Sequence, residues 1–309
     1  MMAAVSANAD APRPAAPPPK LGNAARRSAS WTIAHTADDA AERPSGSQSI
    51  QRALVLLNLV GVLARDRPDG VSLAELTRVS GRPKASVRRI LVALVAEGYV
   101  EQDPDTACYR LGLQAGVLGE LAGNRADDLG EASTDSLIRI ADASTETTFL
   151  TVRHGSYAVC TRRQEGPGPI RNYALAVGDR HPLGIGAGSL AILGALSDDD
   201  VEDVLASTAT TRDHYPGFDD DTLHDLVHRS RHDGYALNDG RVIAGSWALG
   251  VAVHDAADRP VAALSVASIA ERFDGARRDE LAALLHAEAR SIHAALTDSQ
   301  KSRSARGRP

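Results

Sequence analysis

The sequence predicts a mixed α/β (α+β) fold in two parts: a small winged helix-turn-helix on the N-terminal side and a larger strand-and-helix domain after it. Three observations carry this expectation. Residues 47–113 read as helix, helix, turn, helix and hairpin, whereas later segments interleave strands with helices, the pattern of a mixed sheet domain. Charge divides along the same line: residues 47–113 hold nine Lys/Arg against seven Asp/Glu, and residues 114–300 hold sixteen against twenty-nine, in a chain of net charge -6. With 309 residues and 43% hydrophobic content, the chain can bury one or two sizeable cores.

Residues 1–46 contain APRPAAPPPK, repeated Ala and Ser, and few large apolar side chains, so a disordered arm is expected there. Residues 299–309, with KSRSARGRP, are expected to form a basic flexible tail. No stretch approaches the roughly 18 consecutive apolar residues of a membrane helix, and no basic-then-apolar signal pattern opens the chain. A cytoplasmic protein without a membrane partner is therefore expected. Cys108 and Cys160 lack C-x-x-C spacing, which excludes a cysteine-built zinc module and fits a reducing compartment.

From Ser49, the residues Ile50, Ala53, Leu54, Leu57 and Val60 recur at helical spacing, and RDRPDG closes that first helix. Ser72 stands three residues before Glu75, a capping-box arrangement that predicts a short second helix over about 73–79. Ser80-Gly81 interrupts it, and Pro83 opens a third helix in its first turn, where a missing N–H costs nothing. On that helix Val87, Ile90, Leu91, Leu94 and Val95 form one apolar face. At about 100° per residue, Ala85 and Arg89 point the opposite way, with Ser86 on one flank and Lys84 and Arg88 on the other. YVEQD and CYRLG, joined across Pro104-Asp105, read as the hairpin.

A helix of this kind fits the major groove of double-stranded DNA. Ala85 and Ser86 are small enough for close approach, and Arg89 can bond a guanine edge. Arg82, Lys84 and Arg88 suit phosphates, which position without specifying sequence. Arg110, on the return strand of the wing, is expected at the DNA backbone or the adjacent minor groove. Local basicity lets an acidic protein meet a polyanion, because the field that matters is that of the face presented.

In the larger domain, a linker helix and a second helix with Leu129, Leu137 and Ile140 inward are expected over 114–143. TTFLTVRHGSYAVCTRR reads as two strands around His154-Gly155, and helices follow GIGAG and occupy about 198–207 and 219–233. WALGVAVHD and PVAALSVAS read as strands, before a final helix over about 276–296. Gly186, Gly188 and Ala191 match a nucleotide-type G-x-G-x-x-A, but the preceding VGDRHPL is no apolar strand and Asp198 to Asp200 look like a helix start. A glycine turn opening a helix can still meet a small anion.

SQSIQRALVLLNLV, SLAELTRVSGRPKASVRRILVALVAEGYVEQDPDTACYRLG and RHDGYALNDGRVIAGSWALGVAVHDAADRPVAALSVAS together resemble the IclR-type bacterial transcriptional regulators over about residues 47–298. The resemblance implies a winged helix-turn-helix over 47–113, a linker helix over 114–126, and a GAF-like effector-binding and oligomerisation domain over 127–298. It also implies a homodimer or a dimer of dimers on a DNA operator. It places Gly186 and Ala187 against a small carboxylate-bearing effector. The family's pocket acid falls at or beside Asn238, with Asp239 adjacent; a strand residue falls near Ala248, and two inward serines fall on Ser265 and Ala267. An acid and a hydroxyl are thus replaced, and Trp247 adds bulk, so a less polar pocket and a larger or aromatic metabolite are expected.

His224, His228 and His232 recur every four residues, a spacing that can bind metal, but Leu223, Leu226 and Val227 define the buried side and leave the histidines in solvent. No metal and no cofactor is expected, and without a G-x-S-x-G or a recognisable cysteine site neither is an enzyme. The rival reading is a metabolite-binding or metabolite-processing GAF-like protein whose winged helix serves protein contacts.

Overall fold

A computed structural model describes residues 47–65, 67–170, 172 and 174–306. Three helices open it: α1 (Gln48–Ala64), α2 (Leu73–Ser80) and α3 (Lys84–Ala96), followed by the wing strands β1 (Val100–Gln102) and β2 (Tyr109–Leu111). Their common core joins Leu56, Leu59, Val60 and Leu63 of α1 to Leu76, Val87, Leu91, Val100 and Tyr109. The buried stripe of α1 keeps the expected Val60 but not Ile50 and Leu54, which lie in solvent. Val95 of α3 is likewise exposed, while Val87 and Leu91 anchor that helix. Gly61 has a packing role, since a Cβ there would come within 3.2 Å of Leu111 on the wing.

Half of the capping box forms. The Ser72 hydroxyl accepts from the Glu75 N–H at 3.2 Å, but the Glu75 carboxylate is held by Arg67, whose Nη2 donates to Oε1 at 3.1 Å. Gly81 ends α2 in the left-handed region at φ 62, and Pro83 caps α3 from outside instead of lying in its first turn.

The long α4 (Leu113–Ser144) is one unbroken helix, so the expected linker over 114–126 and the helix after it are continuous. Six strands then form one antiparallel sheet in the order β5-β4-β3-β8-β7-β6. They are β3 (Thr147–His154), β4 (Tyr157–Gln164), β5 (Arg180–Pro182), β6 (Ala236–Asp239), β7 (Ser246–His254) and β8 (Pro260–Ile269). The short strands β5 and β6, unread in the sequence, close its two edges. Between β5 and β6 run α5 (Ala187–Gly194), α6 (Asp198–Arg212) and α7 (Asp220–Asp233). A single 3₁₀ turn (Ala270–Arg272) leads to α8 (Gly275–Arg306).

Side-chain alternation gives the sheet two faces. One packs Leu150, Leu249, Val251, Leu264 and Val266 against Leu137 and Ile140 of α4 and Leu281, Leu285 and Ile292 of α8. The other meets α5, α6 and α7 through a second core containing Leu190, Leu193, Val204, Leu223 and Leu226. Ser197 caps α6, accepting from the Asp200 N–H at 3.2 Å, and Asp219 caps α7, accepting from the Thr222 N–H at 2.8 Å. The acids 198–200 therefore do start a helix, where its dipole favours them.

Because α8 continues to Arg306, residues 299–306, expected as flexible tail, are helical; the arm 1–46 and the residues 307–309 lie outside the described residues. Among the described residues no helix is long and apolar enough to cross a membrane.

Candidate nucleic-acid interface and effector pocket

The first turns of α3 project from the N-terminal core. Lys84, Ala85, Arg88 and Arg89 are exposed, Arg82 and Ser86 are half-buried, and Val87 and Leu91 fix the helix from behind. None of Lys84, Arg88 and Arg89 forms an ion pair among the described residues, so their charge is directed outward. The wing is different. Its register places Arg110 opposite Glu101, and the Arg110 Nε donates to that carboxylate at 3.2 Å. Asp103 organises the wing tip by accepting from the N–H groups of Asp105 (3.1 Å) and Thr106 (2.8 Å), and these bonds hold its carboxyl below the usual range. The wing is therefore an acidic hairpin, and the charge of Arg110 is offset there by Glu101.

The second site is a cavity of about 60 Å³ between the N-terminal end of α5 and the sheet. Six of the eight expected residues line it: Gly186, Ala187, Asn238, Ala248, Ser265 and Ala267. Gly186 and Ala187 open α5, and register explains the other four and the exceptions. Asn238, Ala248 and Ala267 stand directly opposite one another across β6, β7 and β8, so they share a face. Asp239, Trp247 and Ser268 form the next row and share the reverse face. Trp247 accordingly packs beside Phe273, with ring centroids 6.4 Å apart, and adds no bulk to the cavity. Asp239 pairs with Arg241 at 3.0 Å.

The helix start is set by close approach. Gly186 has φ 85, and a Cβ at Gly188 would lie 3.1 Å from the Thr151 hydroxyl, so glycine lets α5 seat on the sheet. Ser189 donates to the Pro182 carbonyl at 2.8 Å, tying the same turn to β5. Behind it, a Cβ at Gly250 would meet the Ala187 carbonyl oxygen at 2.6 Å. Gly250→Ala is therefore expected to cost about 1–3 kcal/mol by overpacking against backbone. Urea unfolding measures this, and an unchanged midpoint would mean that α5 is not seated there. With Gly186 as N-cap, the N–H groups of Ala187, Gly188 and Ser189 have no intrahelical acceptor and open towards an anion.

Expectation and structure part over polarity. Phe149, Leu175, Val242 and Ala267 make apolar wall, but several buried polar groups that the sequence did not nominate also line the cavity. Asn172 is structural: its amide donates to the Ser246 hydroxyl at 2.8 Å and its oxygen accepts from the Ala174 N–H at 2.9 Å. His181 shares a hydrogen bond of 3.1 Å between Nδ1 and the Tyr215 hydroxyl, and burial pushes its pKa down to about 4, leaving the ring neutral. Asp179 is 1% exposed, and burial raises its pKa to about 6 against the opposing pull of the Ala176 N–H and the Arg65 charge. Cys160 lies in the same wall with its pKa pushed up by burial. The histidines of α7 face solvent; His224 pairs with Glu202 at 3.4 Å.

Comparison with known proteins finds matches over both parts of the chain. A family model described as bacterial transcriptional regulator IclR C-terminal matches residues 125–294, and one described as IclR helix-turn-helix domain matches residues 49–104. The HTH-type transcriptional regulator KipR of Bacillus subtilis is 26% identical over 230 residues, 74% of this chain and 88% of its own. A transcriptional regulator from Alicyclobacillus acidocaldarius superposes with a TM-score of 0.64 at 23% identity, covering 80% of this chain and 98% of that one. An IclR homologue from Microbacterium hydrocarbonoxydans, solved with 4-hydroxybenzoate, gives a TM-score of 0.62 at 19% identity over 80% and 98% of the two chains.

Proposed function

The chain belongs to the IclR family of bacterial transcriptional regulators, DNA-binding proteins with a C-terminal effector-binding domain, and from that premise we propose how it binds and what it senses. It reads an inverted-repeat operator as a symmetric dimer, one α3 in the major groove of each half-site. The observation that carries this is the outward, unpaired charge of Lys84, Arg88 and Arg89 on a helix anchored by Val87 and Leu91. Arg89 contacts a base edge, Arg82, Lys84 and Arg88 contact phosphates, and Ala85 and Ser86 allow close approach.

Dimerisation is supported by large apolar side chains left in solvent by the single chain. Ile50 and Leu54 on α1 are 63% and 55% exposed, and Leu113 and Leu121 on α4 are 76% and 63% exposed. A second copy covering them removes an apolar surface unusual for a monomer, and it pairs the two DNA-binding heads. The larger domain further allows a dimer of dimers. Regulation of genes places this work in the cytoplasm.

The effector is a small organic acid. Its carboxylate meets the first turn of α5 at Gly186 and Ala187, and Phe149 with the apolar wall accepts a flat ring, a class to which the 4-hydroxybenzoate of the Microbacterium relative belongs. Ligand shifts the heads only through a difference in affinity between their two arrangements. Selection of fragments from sheared genomic DNA at physiological salt tests the proposal. Enrichment of a few inverted-repeat promoter sites is expected; recovery of random fragments in proportion to their abundance would refute it.

A further inference from the structure

The cavity wall contains a carboxylate with half of its hydrogen-bonding capacity unused. Asp179 ends a tight turn over 176–179: its Oδ2 accepts from the Ala176 N–H at 2.9 Å, and its own N–H donates to the Ala176 carbonyl at 3.0 Å. The turn is docked on β4, with Gly178 N–H donating to the Cys160 carbonyl at 2.7 Å and Cys160 N–H donating to the Asp179 carbonyl at 2.9 Å. This geometry fixes the carboxylate. Its second oxygen, Oδ1, is fully buried and has no partner, although buried acceptors are nearly always satisfied. Two further atoms of the same wall share that condition, Thr151 Oγ1 and Asn238 Oδ1.

The cavity is thus polarised. Backbone donors line one side, at the start of α5, and two residues that carry an unpaired buried acceptor, Asp179 and Asn238, stand elsewhere in the wall. A bare carboxylic acid satisfies the first and leaves the second unpaired. We infer that Asp179 is a specificity-determining residue that accepts a hydrogen bond from a hydroxyl or amine borne by the effector, which is therefore a small organic acid carrying a donor group. The inference rests on the effector-pocket reading above and narrows its ligand class. It also replaces the acid expected at position 238 with one supplied from a different segment of the chain.

The turn that Asp179 ends is also in contact with the DNA-binding head. Arg65, at the end of α1, donates to the Val177 carbonyl, and Gly178 lies against Val62, whose Cγ2 would be 3.4 Å from a Cβ at that glycine. A ligand bound to Asp179 pulls on the turn that holds α1, so recognition and response share one segment.

Matched acids that differ only by a hydroxyl test the assignment. Binding of benzoate and 4-hydroxybenzoate, and of propionate and lactate, is measured by calorimetry on the full-length protein, its Asp179→Leu and Asp179→Asn variants, and Trp247→Phe as a control from the reverse face. In at least one pair the hydroxylated member is expected to bind the parent protein about tenfold or more tightly. That preference falls below about twofold in Asp179→Leu, while the affinity for the plain acid is kept. Should the leucine variant fail to fold, Asp179→Asn, which keeps the shape but not the charge, carries the test with a several-fold fall in that preference, and Trp247→Phe changes nothing. A preference that survives both Asp179 substitutions, or none in the parent protein, overturns the inference and leaves the pocket standing. Binding of no acid in the panel overturns the inference together with the organic-acid class. The DNA selection above still decides the regulator reading independently.

Discussion

Between pH 6.5 and pH 4 the Asp179→Asn variant is expected to lose about 2 kcal/mol of stability relative to its parent, although at neutral pH it is the more stable of the two. The reason is a pair of buried groups in one cavity wall whose protonation works in opposite directions. Burial raises Asp179 from an ordinary 3.8 to about 6, so the folded state holds that proton more tightly than the unfolded chain. Its contribution is greatest below about pH 3.8 and is lost as pH rises through about 6. His181 is lowered from 6.5 to about 4, so its contribution is complete above about 6.5 and is lost as pH falls through about 4. At about 1.4 kcal/mol per tenfold change in proton affinity, each amounts to about 3 kcal/mol, and in the parent protein they largely offset one another. The Arg65 charge acts on both Asp179 and Cys160, and burial keeps the Cys160 thiol protonated across this window. Removing Asp179 leaves His181 unopposed, and His181→Gln produces the reverse slope. Urea titrations at half-unit pH steps, read as variant minus parent, cancel the other carboxylates; a difference independent of pH would show that these groups do not carry such shifts.

Neither member of that pair was nominated from the sequence, and the reason is physical. Asp179 and His181 lie at and just before β5, a strand of three residues that is too short to show alternation. Their proximity to Asn238 and Ser265 exists only once the sheet has brought distant segments together. What was legible is what local periodicity controls: the anchored face of α3 through Val87 and Leu91, the Ser72 cap, the hairpin, and the acids opening α6. The expected α1 stripe holds at Val60 but not at Ile50 and Leu54, because RALVLLNLVGVL is apolar at several registers. Only packing on α2, α3 and the wing selects Leu56, Leu59, Val60 and Leu63.

Strand faces failed in a more instructive way. Six pocket residues followed from the family resemblance, yet Trp247 and Asp239 were assigned to the same wall as their sequence neighbours Ala248 and Asn238. Adjacent strand residues cannot share a face, and the pairing of Asn238 with Ala248 decides which of each pair turns inward. The lost polarity inferred from Asn238 and Ala267 was likewise a local reading of a nonlocal property. The acid had not vanished from the cavity; another loop provides one. The continuity of α4 has a related cause, since Gly116, Gly119 and Gly130 lower helix propensity without forbidding helix, and packing of Leu137 and Ile140 on the sheet outweighs them.

Replacing Arg89 by alanine is expected to weaken operator binding by about 1–3 kcal/mol at each half-site, and so by about 2–6 kcal/mol for a symmetric dimer engaging two well-separated half-sites. Arg89 lies close to Ala85 around the α3 axis and opposite the anchoring Val87, and its guanidinium is unpaired and exposed, so nothing in the fold depends on it. A bidentate contact to a guanine edge is lost together with discrimination at that base, and binding to random DNA changes far less. Lys84→Ala is the informative contrast. A phosphate contact carries no sequence information, so its loss weakens operator and random DNA alike and lowers the slope of log affinity against log salt by about 1 for each contact removed. Fluorescence anisotropy with a selected operator and a scrambled duplex, at several salt concentrations, separates the two residues. If Arg89→Ala weakened both duplexes equally with a reduced salt slope, Arg89 would be a phosphate contact, and base reading would pass to other residues of α3. With the wing acidic and Arg110 paired with Glu101, it is α3 that presents Lys84, Arg88 and Arg89 outward on one anchored surface, which is why the largest loss is expected there.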